Sequence, residues 1–248
     1  MNRIRDRGFT LVEMAFVLLI IGLLTKVAIG PLASLQEHGK RGQAEADLQR
    51  VREAVFAYLV AYGSLPCPLL AGRSADERPT DINTHRGQGN AQVCGVSSGL
   101  VPAYALGLSG NLTRSGALLD PWGREFQYVV SLSSNPDSGN AALPDWTSSG
   151  EAANVGIGEL SADITLCNAM PRTNCSGRSI RSNQIAFLIM SAGRDGSTRG
   201  LQAENQDGDN YFLVTDESIL PGAEYDDLLV WGSAADVMYW MLRMGWLP

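Results

Sequence analysis

Cations are scarce in this chain once its first eight residues are passed. The net charge is −7; Arg3, Arg5 and Arg7 against Asp6 give the opening +2, which leaves −9 on the remainder. So acidic a body lacks the lysines and arginines that displace counterions from phosphates, which argues against nucleic acid as a partner. Histidine is rarer still, with His38 and His85 the only two. No CxxC spacing occurs, and neither histidine adjoins a cysteine pair, so a zinc site lacks its usual donors. Charged residues make up 18% and hydrophobic ones 45%, which excludes a disordered chain. At 248 residues the sequence holds one domain of ordinary size and a separate segment besides.

Cys67, Cys94, Cys167 and Cys175 are the four cysteines. An even count in a chain with an export signal reads as two disulfides made in an oxidising compartment. Four cysteines allow three pairings, and sequence alone does not choose among them. Cys67–Cys94 with Cys167–Cys175 is favoured because each bond closes a local loop.

The chain opens short, polar and basic, from Met1 to Gly8, and then turns apolar. Phe9 to Leu35 is 27 residues, interrupted by Glu13 and Lys26. As a helix it extends about 40 Å, enough for a hydrocarbon core of roughly 30 Å. Arginines before the span keep the N-terminus cytoplasmic and send the rest outward. Glu13 is the anomaly, since a carboxylate at the bilayer centre costs roughly 2.5–3.5 kcal/mol and seeks a partner. A cut after Gly8 supplies one, the new α-amine of Phe9, in its own helix or a neighbour's. An ordinary secretory signal is the competing reading, with its best cut at Ala28-Ile29-Gly30. Glu13 interrupts its apolar region and Pro31 directly after the cut is a poor context; an uncleaved anchor is a second competitor.

Gly8-Phe9-Thr10-Leu11-Val12-Glu13 resembles the cleavage and methylation site of type IV prepilins and type II secretion pseudopilins. The resemblance covers the leader and first helix, about a quarter of the chain. It implies cleavage between Gly8 and Phe9 by a prepilin peptidase, N-methylation of Phe9, and pairing of Glu13 with a neighbouring subunit's N-terminus during assembly. The partners implied are other pilin-like subunits, the peptidase and an inner-membrane assembly platform. Residues 1–8 are then a leader, 9–35 a transmembrane and assembly helix, and 36–248 a periplasmic head that includes the amphipathic helix half 36–62. Lys26 departs from the family, which has a small or apolar residue there. Gly30-Pro31 sits about one position later than the family's helix-breaking proline, and marks an expected kink or melted turn.

Beyond Pro31, Ala44, Leu48, Val51, Val55, Tyr58, Leu59 and Tyr62 recur at three-to-four spacing, one apolar stripe that a sheet is expected to cover. Gly63 ends the helix as a left-handed cap, and Pro66 and Pro68 force an extended exit. Residues 69–100 read as a long polar loop tethered by its cysteines. Strands are expected at Phe126–Leu132, Gln184–Met190, Tyr211–Thr215 and Leu228–Trp231, then a helix from Ala234 to Met244 capped by Ser233. Asp120-Pro121-Trp122-Gly123-Arg124 resembles the Asp-Pro-Trp-Gly turn of pseudopilin heads and reads as a folding device. The expected fold is α+β and pilin-like: a long N-terminal helix packed on an antiparallel sheet, with a C-terminal helix.

No cofactor is required by this reading, and calcium is the one ion with a candidate place. Ser191-Ala192-Gly193-Arg194-Asp195-Gly196 resembles the start of the calcium loop in major pseudopilins. Asn205, Asp207, Asp209 and Asp216 also fall at positions one, three, five and twelve of an EF-hand-like count, with Asn210 in place of the glycine. Asp195, Asp207 and Asp209 are the expected ligands, although a strand at Tyr211–Thr215 pulls Asp216 away. Two other functions are open. A non-polymerising periplasmic binding protein on a single anchor requires no processing at Gly8 and no assembly defect in Glu13→Ala. An anchored hydrolase requires Ser97, in Gly95-Val96-Ser97-Ser98-Gly99, to act as a GxSxG nucleophile. That elbow lacks a strong strand before it, Pro102 obstructs a helix after it, and neither His38 nor His85 is placed as a base.

Overall fold

A computed structural model of the protein describes residues 10–70, 94, 96–131, 145–147, 161–168, 175, 177–196, 199–218 and 224–247; side chains of 26–34 lie outside that description. The expected leader with Gly8 and Phe9, His85, most of the 69–100 loop, and the side chains of Lys26 and Pro31 fall outside the described residues. The chain divides into two compact units, Met1–Gly42 and Gln43–Pro248.

Helix α1 runs Leu11–Tyr62. It is helical through Gly30 and Pro31, so no melted turn interrupts it. One proline removes one N–H from the ladder, and a long helix carries that loss when the turns on either side remain bonded. In the first unit, the described apolar side chains of α1 stand exposed on every side, among them Leu11, Phe16, Val17, Leu18, Leu19 and Ile20.

In the second unit the stripe is buried. Ala44, Leu48, Val51, Val55, Tyr58 and Leu59 are all at most 8% exposed. Burying each aliphatic side chain stabilises the head by about 1.5–3 kcal/mol. Tyr62, expected on the same stripe, is exposed instead. It lies one turn beyond the buried run and stacks on Tyr58, ring centroids 4.5 Å apart. Gly63 closes the helix with φ +69°, its N–H donating to Leu59 O at 2.8 Å. A Cβ there would lie 2.5 Å from the Trp246 ring, so the glycine also lets the C-terminal residues pack on the helix end.

Six strands form one sheet among the described residues: β1 (Ser98–Leu100), β2 (Gln127–Val130), β3 (Ile164–Cys167), β4 (Ile180–Ser191), β5 (Tyr211–Leu213) and β6 (Leu228–Ser233). The twelve-residue β4 is its spine. Along one edge it pairs with β3 through its first half and β2 through its second; β6 pairs along the other edge. All these pairs are antiparallel, but β3 and β5 are parallel. The sheet is therefore mixed, a correction to the antiparallel expectation. β1 and β3 were not expected; each is only three or four residues long, too short for an alternating pattern to register.

Alternation on the strands separates two apolar layers. Tyr128, Val130, Phe187, Ile189, Leu228 and Val230 join the α1 stripe. Val129, Leu188 and Met190 point the other way, into a smaller cluster with Ile164, Leu166, Ile185 and Phe212. Helix α2 (Ala234–Arg243) buries Ala234, Val237 and Met241 against the first layer. Its start is a full capping box, with Ser233 and Asp236 each binding the other's backbone N–H. Cys67 is bonded to Cys94 and Cys167 to Cys175, with Cα–Cα distances of 5.3 and 5.9 Å.

Candidate functional site

Of the three residues expected to govern processing and assembly, Gly8 and Phe9 lie outside the described residues and Glu13 lies within them. Thr10 is the N-cap of α1 and Glu13 its third residue. The Glu13 Oε2 accepts from the Thr10 backbone N–H and from its hydroxyl, both at 2.9 Å. The Glu13 N–H in turn donates to Thr10 Oγ1 at 3.2 Å. This is a reciprocal capping box, which satisfies donors that a helix start leaves bare. It aims the carboxylate back at the chain's N-terminal side, where Phe9 precedes Thr10. Sequence reading missed Thr10, although Thr-x-x-Glu before an apolar run is the signature of that motif. Among the described residues no helix is long and apolar enough to cross a membrane.

A second constellation lies in the head, where three loops meet. Asp120, 1% exposed, organises the Asp-Pro-Trp-Gly turn. Its Oδ1 accepts from the N–H groups of Trp122 (3.0 Å) and Arg124 (2.8 Å), and its Oδ2 from the Ser191 hydroxyl (2.7 Å). Arg124 donates to Gly193 O at 2.6 Å. Thus the expected folding device also fastens the Ser191–Gly196 loop. Gly193 has φ +62°, and a Cβ on it would lie 2.4 Å from Asp226 O, so the loop approaches its neighbour as only glycine allows. The Asp226 Oδ2 then accepts from Arg194 N (2.8 Å) and Asp195 N (3.1 Å).

Asp195 is not gathered with the other expected calcium ligands. Its Oδ1 accepts from Gln202 Nε2 at 3.0 Å, on a 3₁₀ turn spanning Gly200–Gln206. Asp207 and Asp209 do come together, joined by Glu204, with one ligand atom from each within 4.8 Å of the others. Glu204 was not foreseen, because the EF-hand count skips it. Burial raises its carboxyl above the usual range, and Asp207 and Asp209 add to that. Burial also raises Asp209, with the Tyr211 N–H pulling against it. Exposed acidic groups are common without an ion. Asn205, first in the EF-hand count, is 3% exposed and holds strand β5 instead: its amide donates to Leu213 O and accepts from Leu213 N. Asp216 follows β5 and is exposed.

Two further buried carboxylates of the constellation, Asp226 and Asp227, were not singled out from the sequence. They are 6% and 3% exposed, and Oδ1 of each has no hydrogen-bond partner among the described residues. Asp227 Oδ2 accepts from Asn205 Nδ2 at 2.9 Å. Burial pushes the Asp227 carboxyl up to about 7; the Asn205 hydrogen bond opposes this, and the charges of Asp226 and Asp195 add to it. Asp226 is raised as well, first by burial. The available signal was two adjacent acids between Tyr225 and the apolar start of β6.

Among the described residues, Ser97 does not have the strand-to-helix setting of a nucleophile elbow. Its carbonyl accepts from Val130 N at 2.8 Å, and it precedes strand β1 instead of opening a helix. His38 belongs to α1 in the first unit.

Residues 3–25 match the family described as the prokaryotic N-terminal methylation motif, the prepilin-type cleavage and methylation signal of type IV pilins and pseudopilins. No curated protein and no solved structure matches the chain. The motif supports a type IV pilin-like or pseudopilin protein, membrane-anchored and structural in kind.

Proposed function

We propose that this chain is a structural subunit, a minor pilin or pseudopilin, of a type IV pilus or type II secretion-like filament. Prepilin peptidase cuts between Gly8 and Phe9, and Phe9 becomes the N-methylated terminus. Residues 9–35 hold the subunit in the inner membrane, and the head faces the periplasm, where the two disulfides find an oxidising environment. The observation that carries this reading is the methylation motif on residues 3–25.

Two features of α1 support it. Apolar side chains on every side of its first turns suit a helix that ends among lipid tails or other such helices. Glu13, aimed at its own helix start, is placed to meet an α-amine one residue before Thr10, or the same amine of a neighbour. A carboxylate and an ammonium lowered into an apolar surrounding together avoid the penalty each meets alone.

The test is incorporation of Glu13 variants into filaments, read by cross-linking of neighbouring subunits. Glu13→Ala is expected to be processed normally and to lose roughly tenfold or more in cross-linked multimers. Multimers of Glu13→Ala at the wild-type level would contradict the pairing role of Glu13, and no multimers from the unaltered chain would leave it a solitary anchored head.

A further inference from the structure

Two hydrogen bonds lay the end of α1 alongside α2, both helices running the same way. Arg52 Nε donates to Trp231 O at 2.7 Å, just before the Ser233 cap of α2. Farther along α1, Val60 O accepts from Trp246 Nε1 at 3.1 Å, just past the end of α2. Between the helices lies an open groove of about 460 Å³, inside the roughly 300–1,000 Å³ of ordinary binding clefts. Phe56, Ala57 and Val60 of α1 and Trp240 of α2 line its middle. Phe56 and Trp240 pack against the core and are only part-buried, so each keeps apolar surface toward the groove.

The two ends of the groove differ in charge. Arg52, Glu53 and Asp236 line the first. Arg52 is held by the Trp231 carbonyl and lies 5.1 Å from the Phe56 ring centroid. Asp236 spends Oδ2 on the Ser233 N–H and hydroxyl, which leaves Oδ1 over. Glu53 is exposed and has no hydrogen bond or ion pair among the described residues. Two carboxylates against one guanidinium leave this end negative. Toward the other end the sign reverses, because Arg243 lies over the Trp240 ring, 5.6 Å from its centroid.

An occupant that matches this groove is apolar along its length and cationic at the Glu53 and Asp236 end. The two turns from Glu53 to Val60 span about 10 Å, the reach of anchors at i, i+3 or i+4 and i+7 on a helix. A second copy of this chain is a poor match, since its charge beyond Gly8 is −9 and like-charged bodies repel. We propose that the groove between α1 and α2 binds an amphipathic helix of a different protein, its apolar side chains among Phe56, Val60 and Trp240 and a lysine or arginine against Glu53 and Asp236. Such a partner would suit a filament subunit, yet its recognition rests on the groove alone and stands or falls apart from that reading.

The probe is a labelled synthetic helical peptide with leucines at three-and-four spacing and one lysine past the last, titrated into the detergent-solubilised full chain. Saturable binding is expected, weakened roughly tenfold when the peptide's lysine is replaced by glutamate. Glu53→Lys reverses that order, so that the glutamate peptide binds the better. Ala57→Trp fills the groove and abolishes binding of both peptides. Glu53 and Ala57 are exposed on α1, so both variants keep the fold, which an unchanged thermal midpoint checks. Binding that survives Ala57→Trp is uptake by detergent and overturns the proposal. No binding at all overturns it too, as does a peptide order that Glu53→Lys leaves unmoved.

Discussion

From Leu11 to Leu24 apolar side chains stand on all sides of α1 and stay exposed, Leu11 at 87% and Leu18 at 69%. From Ala44 to Leu59 they stand on one stripe and are buried. The second stretch is completed by its own chain, because a sheet of the same unit offers Tyr128, Phe187 and Ile189 to meet it. The first has no such cover among the described residues. A helix apolar all round has no polar face to give to water, which suits burial among lipid or other apolar helices. One helix therefore carries two patterns, a stripe that its own sheet buries and an all-round apolar stretch left exposed, and the periodicity of its apolar residues separates them.

The comparison is sharpened most by matched truncations. Leu48→Ala, at 1% exposure, is expected to lower head stability by about 2–5 kcal/mol in chemical denaturation. Leu18→Ala is expected to change it by no more than about 0.5 kcal/mol. A comparable loss in both would mean that the first stretch is also part of the folding core.

Acidity acts on the head through Asp227. Asp227 holds its proton in the fold until about pH 7, whereas an unfolded aspartate releases it near about 3.9. Between those values the folded chain binds the extra proton, so stability falls as pH rises through that window and is lowest above it. The loss is on the order of a few kcal/mol, read as a falling thermal midpoint that Asp227→Asn flattens.

Smaller effects belong to the ends of the buried stretch. Gly63→Ala combines a left-handed backbone with a clash on Trp246 and should cost about 1–3 kcal/mol in denaturation. Ser233→Ala removes half of the α2 capping box and should cost about 1 kcal/mol in the same measurement.

The features legible in the sequence were the local ones. The stripe from Ala44 to Leu59, the Gly63 cap, the Ser233 cap and the positions of β2, β4, β5 and β6 follow from periodicity and end signals within a few residues. Tyr62 misled because a period does not say where the covering sheet stops. The parallel β3–β5 pair was not legible, since Ile164–Cys167 and Tyr211–Leu213 are far apart in sequence and nothing in either states its partner. The candidate site divides the same way. Glu13 stands out as a carboxylate in an apolar run, whereas Asp226 and Asp227 become unusual only once burial removes their water. Counting positions set Asn205 beside Asp207 as an ion ligand; the fold turns its amide to Leu213.

The central claim is that the opening of this chain is a processing and assembly signal. Its most direct test is the intact mass and N-terminal sequence of the membrane-extracted protein, made with and without prepilin peptidase. A chain beginning at N-methylated Phe9, only when the peptidase is present, is the predicted result. An intact Met1 in both preparations, or a start beyond Gly30, would contradict it.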